Sequence, residues 1–206
     1  MSEEGGGPME RVDVNSIREA VRKRYAEVSS STAGRFEYLT GRGGALALGY
    51  EPTMLDAIPD DILVAFCGVG NPFALGPVRS GDAVLDVGCG AGVDLMIAAR
   101  LVGPSGRVCG LDLTPEMVEK ARANLGRIGL SRAEVALGTS EAMAFEDGSF
   151  DVVISNGVLN LSPLKEQSYR EIHRVLRRGG RLQFADIVLK GDLAPEVVGN
   201  LDAWSD

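Results

Sequence analysis

The residue pattern with the clearest chemical meaning is an acid followed by three alternating glycines. Asp86 precedes Gly88, Gly90 and Gly92 in the stretch VLDVGCGAGVD. Glycines at this spacing mark a turn whose backbone lies against a group too bulky to tolerate Cβ atoms. A carboxylate beside the turn is a poor neighbour for a pyrophosphate but a good one for a cation. The pattern therefore predicts a site for a nucleotide-like ligand that carries positive charge.

Two other glycine-rich nucleotide motifs do not fit this spacing. The dinucleotide fingerprint G-x-G-x-x-G needs glycine at position 93 or 95, where the chain has Val93 and Leu95. The phosphate loop G-x-x-x-x-G-K-[ST] is also absent from the sequence. A nicotinamide-dependent dehydrogenase is therefore a distant alternative.

A second acid ends the next predicted strand. Residues 107–113, RVCGLDL, form a short apolar run that ends near Asp112. A carboxylate at this point of an open α/β sheet can accept paired hydrogen bonds from the two hydroxyls of a ribose. The alternative for Asp112 is an N-cap, although Thr114 followed by Pro115 already supplies a cap and a first helical turn. We expect Asp112 to hold a ribose.

Alternating strands and helices must position these acids. Short apolar runs predict strands at 83–86, 107–113, 133–137, 150–155 and 181–189, and helical patterns predict helices at 93–101, 115–127 and 167–177, the last closed by Gly179 and Gly180. This alternation predicts an α/β fold with a Rossmann-like, doubly wound and mostly parallel sheet.

The chain divides into three predicted parts. Residues 1–12 are expected to be a disordered tail, residues 13–74 an N-terminal helical and loop segment that forms a lid, and residues 75–206 the ligand-binding core. Within the lid, the polar, glycine-rich residues 29–49 are predicted to be a mobile loop, and residues 53–58 a short helix.

The first predicted helix covers residues 15–28. Ser16 and Glu19 fit a capping box. The apolar positions recur at helical spacing: Ile17, Val21, Tyr25 and Val28. We expect this helix to pack over the ligand crevice, where Tyr25 could reach the site, and ordinary helix packing is an equal alternative for Tyr25.

Composition narrows the class of protein. The 206 residues are 45% hydrophobic and carry a net charge of −8, which argues against a nucleic-acid partner. No apolar run approaches the ~18 residues that would span a membrane, and the start MSEEGGGP does not resemble a signal peptide. The three cysteines have no metal-ligand spacing, so we expect no metal and reduced thiols in a cytoplasmic protein.

These segments resemble a known family. The pattern D-x-G-x-G-x-G resembles motif I of the class I S-adenosylmethionine (SAM) methyltransferases. Over residues 50–188, LGYEP, GVGNPFAL, VLDVGCGAGVD, GTSEAMAFEDGSFDVVISN and NLSPLKEQSYREIHRVLRRGGRL resemble segments of the arsenite methyltransferases in the same order. The resemblance implies a SAM-dependent methyltransferase, with SAM as cofactor, S-adenosylhomocysteine as product and a small-molecule methyl acceptor.

The resemblance also implies cofactor-binding residues. The glycines at 88, 90 and 92, with Cys89 between them, would line the methionine and ribose moieties, and Asp86 would lie near the ammonium group. The remaining implied cofactor contacts are Asp112 at the ribose, Leu113 against the adenine, Thr139, Ser140 and Glu141 at the adenine edge, and Asn156 at the methionine end.

The chain departs from the family at the arsenic-binding cysteines. Trivalent arsenic needs soft thiolate ligands. Where the resemblance implies such cysteines, this chain has Val69 and Gly157, and residues 41–48 contain none. Cys67 is a single nearby thiol, and Cys89 and Cys109 are expected to be packing residues. We therefore expect a small organic acceptor rather than arsenite.

The acceptor side is predicted from the same segments. Its wall would be formed by Val69, Asn71 and Gly157. Methyl transfer from a sulfonium needs alignment more than a dedicated base. No catalytic residue is assigned, and the candidates are Tyr25, Asn156 and Asn160.

The end of the sequence is a second departure. The chain stops at Asp206, within a predicted helix after the fifth strand, so we expect the family's last strands to be missing. Either the sequence is cut short, or it encodes a degenerate methyltransferase whose sheet edge is covered by a partner, for which a homodimer is one form. The alternative function is thus a SAM-binding regulatory or interaction protein without catalysis.

Overall fold

The computed structural model describes residues 13–32, 34–188 and 190–191. The expectations for the tail at 1–12 and for the helix near the end of the sequence lie outside these residues. The helices are α1 (Val14–Ser30), α2 (Gly41–Ala47), α3 (Pro52–Leu55), α4 (Asp60–Leu63), α5 (Val93–Val102), α6 (Pro115–Arg127) and α7 (Lys165–Val175). The strands are β1 (Ala83–Val87), β2 (Arg107–Asp112), β3 (Glu134–Leu137), β4 (Phe150–Asn156) and β5 (Leu176–Ala185).

The five strands form one parallel sheet in the order β3-β2-β1-β4-β5. The order reverses at β1, and such a reversal opens a crevice at the carboxyl ends of the strands. In this register Val87 of β1 lies opposite both Leu111 of β2 and Ser155 of β4. The predicted Rossmann-like, doubly wound fold is confirmed, and its register brings the ends of three strands together.

The central strands are buried on both faces. Four of the five residues of β1 and six of the seven residues of β4 are buried, which is expected of a parallel sheet with helices on each side. Val84 belongs to the core beneath α5, whereas Leu85 packs in the core on the α7 side. Among the described residues, no helix combines the length and hydropathy needed to cross a membrane.

The N-terminal segment contains more regular structure than the sequence predicts. The first helix begins at Val14, and Asp13 caps it by accepting from the backbone N–H groups of Asn15 and Ser16 at 3.1 Å. The predicted capping box at Ser16 is therefore wrong. Residues 41–47, within the predicted mobile loop, form α2, in which a Cβ at Gly44 would overlap the carbonyl of Leu39.

The short helices α2 to α4 pack into the main core. The predicted helix at 53–58 is replaced by α3 and α4. Ala45, Tyr50, Leu55 and Ile62 share a buried cluster with Val84 of β1. The division into lid and core stays a prediction.

Strand β5 begins earlier than the sequence predicts. Helix α7 ends at Val175, and β5 follows from Leu176, so the predicted helix over 167–177 with a glycine C-cap is wrong at its end. Gly180 instead lies where the pairing of β4 with β5 shifts register. A Cβ at Gly180 would lie 2.9 Å from the carbonyl oxygen of Arg177, so glycine serves a strand irregularity here.

Candidate active site

A cleft opens at the carboxyl ends of β1, β2 and β4. It encloses about 890 Å³ including its open mouth, and residues of α1 line its far side. A smaller adjoining space of about 390 Å³ lies behind the β1–α5 turn. Gly88, Gly90, Ala91, Cys67 and Asn156 line both spaces, so the turn lies at their junction.

The three glycines of the turn serve different purposes. All have positive φ: +75° at Gly88, +51° at Gly90 and +91° at Gly92. A Cβ at Gly88 would overlap the side chain of Val158, and one at Gly92 would touch Ala121 at 3.4 Å. At Gly90 no atom lies within 4 Å of the Cβ position. Of the three glycines, Gly90 is thus the one with open space where a side chain would lie.

Asp112 joins the glycine turn to the start of α6. Its Oδ2 accepts from the backbone N–H of Gly90 at 2.8 Å, and its Oδ1 accepts from the N–H of Thr114 at 2.9 Å. Burial raises the pKa of this carboxyl, and these backbone donors partly offset the rise. Each carboxylate oxygen has two lone pairs, so both oxygens can still accept from a ligand in the cleft.

Asp86 is the least satisfied acid of the site. It is 2% exposed, and its Oδ2 has no hydrogen-bond partner among the described residues. Burial raises its pKa well above the ordinary value, and the charges of Asp94 and Asp112 raise it further. A buried carboxylate in this situation is stabilised by any cation that binds beside it.

Asp94, which was not among the predicted site residues, lies in the first turn of α5. Its Oδ1 accepts from the hydroxyl of Tyr50 at 2.7 Å, and its Oδ2 accepts from the side-chain amide of Asn156 at 3.1 Å. Burial raises the pKa of Asp94 to about 6, against the opposing effect of these two donors. Among the described ion pairs, none involves Asp86, Asp94 or Asp112.

Asn156 holds the segment that precedes β1. Its Oδ1 accepts from the backbone N–H groups of Val69 at 2.8 Å and Gly70 at 3.1 Å, and its Nδ2 donates to the carbonyl of Gly70 at 2.9 Å. Asn156 lines the cleft as predicted, but its amide is occupied by these contacts. The geometry gives it a positioning role, and its predicted contact with the cofactor stays a prediction.

The predicted acceptor wall is only partly at the cleft. Gly157 lines the cleft, whereas Val69, Asn71 and Asn160 are not among its lining residues. Asn71 instead caps the 3₁₀ turn that follows it and donates to the carbonyl of Gly49 at 2.8 Å. The backbone of Asn160 donates to Asp186 at 2.8 Å. The amide of Asn71 is therefore engaged in a turn, whereas the side-chain Oδ1 of Asn160 is buried and has no hydrogen-bond partner among the described residues, so the roles predicted for both residues stay predictions.

The residues predicted at the adenine edge line one end of the cleft. Leu113, Thr139, Ser140 and Glu141 are all in the wall. The hydroxyl of Ser162 donates to Oε1 of Glu141 at 2.7 Å. From α1, Arg18 and Val21 also line the cleft; Val21 belongs to the predicted apolar stripe, whereas Arg18 was not predicted because it is not part of that stripe.

Tyr25 and Cys67 both line the cleft. Tyr25 lines the cleft, as the lid hypothesis predicts. Burial raises the pKa of its hydroxyl, and the Cys67 charge adds to the rise. Burial also raises the pKa of the Cys67 thiol to about 12, with Asp112 and Asp94 as further causes. Both groups are therefore protonated near neutral pH.

Cys89 does not present its thiol to the site. A Cβ at Gly110 would lie 2.8 Å from Sγ of Cys89, so the sulfur points into the core beside β2 while its backbone lines the smaller space. In the described part of the chain, no group of three or more His, Cys, Asp or Glu side chains is placed to hold a metal ion.

The open parallel sheet, the glycine turn after its first strand and the acids at the ends of two neighbouring strands define a class I SAM-dependent methyltransferase. The sequence supports this class, because residues 78–205 match the profile of the methyltransferase domain family. The chain belongs to that family, and its relatives place it close to the arsenite methyltransferases.

Relatives and solved structures agree with this assignment. The chain is 37% identical over 190 residues to the arsenite methyltransferase of Halobacterium salinarum, which covers 85% of this chain and 48% of that protein. It is 40% identical over 103 residues to the demethylmenaquinone methyltransferase of Lactococcus lactis, with coverage of 50% and 41%. It superposes with a TM-score of 0.65 and 36% identity on CrArsM, an arsenic (III) SAM methyltransferase from Chlamydomonas reinhardtii, over 72% of this chain and 53% of that one.

This chain spans about half the length of curated relatives that it matches over most of its own length. SAM is the cofactor of the class, and two features at the glycine turn fit it. Oδ2 of Asp86, which borders the smaller space, has no hydrogen-bond partner among the described residues and would be stabilised by a cation, and the open Cβ position of Gly90 leaves room for a ligand against the backbone.

Proposed function

We propose that this protein is a SAM-dependent methyltransferase that acts on a small organic molecule rather than on arsenite. The observation that carries the proposal is the set of three buried carboxylates, Asp86, Asp94 and Asp112, around one glycine turn, without an ion-pair partner in the described chain. The sulfonium and ammonium of SAM would supply the missing positive charge.

The cleft supports one orientation of the cofactor. Asp86 would hold the ammonium and Asp112 the ribose hydroxyls, since both acids retain free acceptor capacity. Leu113 and Glu141 would then face the adenine. The bound cofactor supplies an electrophilic methyl group for transfer.

The chain itself aligns the acceptor and excludes water. Helix α1 covers one side of the cleft through Val21 and Tyr25. Because the hydroxyl of Tyr25 and the thiol of Cys67 remain protonated, they can orient an acceptor by donating hydrogen bonds but cannot remove its proton. Alignment of this kind can lower a barrier by ~7–11 kcal/mol.

The thiol content of the site argues against arsenite. The resemblance to the family implies thiolates at positions 69 and 157, and these positions are neighbours, since a Cβ at Gly157 would lie 3.4 Å from Val69. In this chain, position 69 carries the isopropyl group of valine and position 157 is glycine, so neither position offers a thiol. The remaining thiol at the cleft, Cys67, is alone and protonated, and soft metalloids bind to several thiolates.

The relatives support a small-molecule acceptor. Their names specify arsenite and a demethylmenaquinone as the compounds that they methylate. The cleft of this chain, walled by Ala65, Val158 and Leu161 beside the glycine turn, is apolar enough for an organic acceptor.

The test begins with cofactor binding. Calorimetric titration with SAM and S-adenosylhomocysteine is expected to show binding by the wild type and a loss of at least ~10-fold for D112A, because charge-assisted hydrogen bonds contribute ~1.5–3 kcal/mol. D61A is the matched control, since Asp61 is an exposed acid on α4.

Methyl transfer is then assayed with methyl-labelled SAM and separate panels of quinols, phenols, amines and arsenite. Transfer to an organic acceptor supports the proposal, and transfer to arsenite contradicts its substrate class. Wild-type chain that binds SAM but methylates nothing favours the alternative of a SAM-binding protein without catalysis. Absence of SAM binding by folded wild-type chain overturns the proposed function.

A further inference from the structure

Helix α1 presents one face to the cleft. Arg18, Val21 and Tyr25 line the cleft and recur at i, i+3 and i+7, which places them on one side of the helix. The C-terminal end of this helix is fixed to the core, because Nζ of Lys120 donates to the carbonyl of Ser29. At the N-terminal half, Nη2 of Arg18 lies 3.6 Å from Oε2 of Glu141 in the cleft wall.

One oxygen of the Glu141 carboxylate is fixed by a hydrogen bond from Ser162. Its side chain is 5% exposed, and Oε1 accepts from the hydroxyl of Ser162 at 2.7 Å. Ser162 in turn lies 2.9 Å from the hydroxyl of Ser168 on α7, which lies 2.8 Å from that of Ser140. One carboxylate oxygen is therefore fixed by a buried serine chain, and the other faces Arg18.

The guanidinium of Arg18 has an N–H donor that makes no hydrogen bond to the described residues. Its Nε is buried and finds no hydrogen-bond partner in the part of the chain that the structure describes. The guanidinium is the one cationic side chain among the described residues of the cleft wall. Such a group, placed at the end of a ligand cleft, orients whatever carboxylate it contacts.

We propose that Arg18 is a positioning residue for the cofactor. It fixes Oε2 of Glu141 toward the cleft, so that the carboxylate can accept a hydrogen bond from the exocyclic amine of adenine, and the same ion pair closes the N-terminal half of α1 over the adenosine. This role rests on the proposed function, since it requires that SAM binds with its adenine at Glu141.

The arrangement makes the site selective for a base that donates at this edge. A carboxylate accepts hydrogen bonds only, so an oxo group in place of the amine meets repulsion at Glu141, and the base has to shift to offer its N1–H instead. Because Arg18 is only 28% exposed, the ion pair is less screened than a surface pair and can slow the release of the ligand.

The experiment compares S-adenosylhomocysteine with S-inosylhomocysteine, in which the amine is replaced by an oxo group. Dissociation constants and release rates are measured for wild type, R18Q, R18K, E141Q and the double variant. R22Q is the matched control, because Arg22 lies one turn further along α1 and pairs with Glu19 on the same helix.

Wild type is expected to prefer the adenosine compound by ~10- to 100-fold, as a charge-assisted hydrogen bond predicts. In R18Q this preference should fall by roughly 3- to 10-fold and release should accelerate. R18K should recover part of both, R22Q should match wild type, and E141Q should lose the preference because an amide can donate to the oxo group.

Three outcomes overturn the role of Arg18. The first is that R18Q melts like wild type and keeps the wild-type preference and release rate. The second is that E141Q keeps the wild-type preference. The third is that the effects of R18Q and E141Q add strictly in the double variant. Wild-type chain that binds neither compound overturns the proposed function together with this role, so the two failures are distinguishable.

Discussion

The hydroxyl of Tyr50 donates a 2.7 Å hydrogen bond to Oδ1 of Asp94, and this bond joins the N-terminal segment to the first turn of α5. Asn156 at the end of β4 donates to both of them, at 3.1 Å in each case. Three parts of the chain therefore meet in one buried polar network behind the glycine turn. Tyr50 is 2% exposed, so the network is sealed from water on this side.

The first prediction concerns the Tyr50 hydroxyl. Y50F leaves an oxygen of the buried Asp94 without its donor and is expected to lower the free energy of unfolding by ~1–3 kcal/mol. Urea denaturation of the ligand-free chain measures this change. Y169F, at a half-exposed tyrosine on α7, should change the value by less than ~0.5 kcal/mol, and equal effects of the two variants would contradict the role of the network.

The second prediction is a pH dependence that arises from Asp94. Its folded-state pKa is raised from 3.8 to about 6, so the folded chain holds this proton more tightly than the unfolded chain does. The stability of the ligand-free protein should therefore fall as pH rises from about 4 to above 6, by about 3 kcal/mol from this group, at ~1.36 kcal/mol per pKa unit. Asp86 and Asp112, whose pKa values are also raised, act in the same direction.

The measurement is the free energy of unfolding of wild type, D94N and D61N between pH 4.5 and 7.5, where the effect of Asp94 on stability is expected to change with pH. D94N should lose part of the downward slope, even if it is less stable at every pH, and D61N should keep the wild-type slope. Parallel curves for wild type and D94N would rule out Asp94 as the titrating group. Since a bound cation favours ionised Asp94, the affinity for SAM should rise over the same interval.

The third prediction separates the glycines of the turn. G90A meets no atom within 4 Å, so it should keep most of the stability, with ~1–2 kcal/mol of strain from its φ of +51°. Its methyl group occupies the ligand side of the turn and should weaken SAM binding by ~10- to 100-fold. G88A overlaps Val158 and should instead destabilise the fold itself.

Thermal melts and calorimetry on the same samples distinguish these two effects. G126A on α6, where nothing lies within 4 Å, is the control and is expected to stabilise by ~1 kcal/mol without a change in SAM affinity. Normal SAM affinity in G90A would show that the ligand does not approach the turn there.

Much of the fold and one half of the site follow from local sequence. The apolar runs and glycines predict β1 to β4 and the helices α5 and α6 to within a few residues, because a buried parallel strand must be apolar and a tight turn needs glycine. Asp86 and Asp112 follow from their places at the strand ends. The helix cap predicted at Gly179 and Gly180 is wrong, since glycine is suited both to a helix cap and to a strand irregularity.

The rest depends on contacts between distant parts of the chain. Tyr50 and Asp94 belong to different segments, and only folding shows that their polar atoms meet. Asn71 illustrates the converse, because its position before proline and its amide suit both a ligand contact and a turn cap, and the structure uses it as the cap. Arg18 could not be identified from helical periodicity, which predicts only the apolar face of α1.

The last prediction addresses the acceptor. If the Val69 and Gly157 positions are where this site departs from arsenite chemistry, V69C/G157C should gain arsenite binding. A Cβ at Gly157 would lie 3.4 Å from the Val69 side chain, so two thiolates at these positions can share one soft centre. The cysteine at 157 has to adopt a φ of +72°, so a stability loss of ~1–2 kcal/mol is expected as well. Arsenite titration of the double variant, V69C alone and wild type measures the gain, and V69S/G157S controls for polarity without thiols. A folded V69C/G157C chain that binds arsenite no better than the serine pair would show that other features of the cleft set the acceptor.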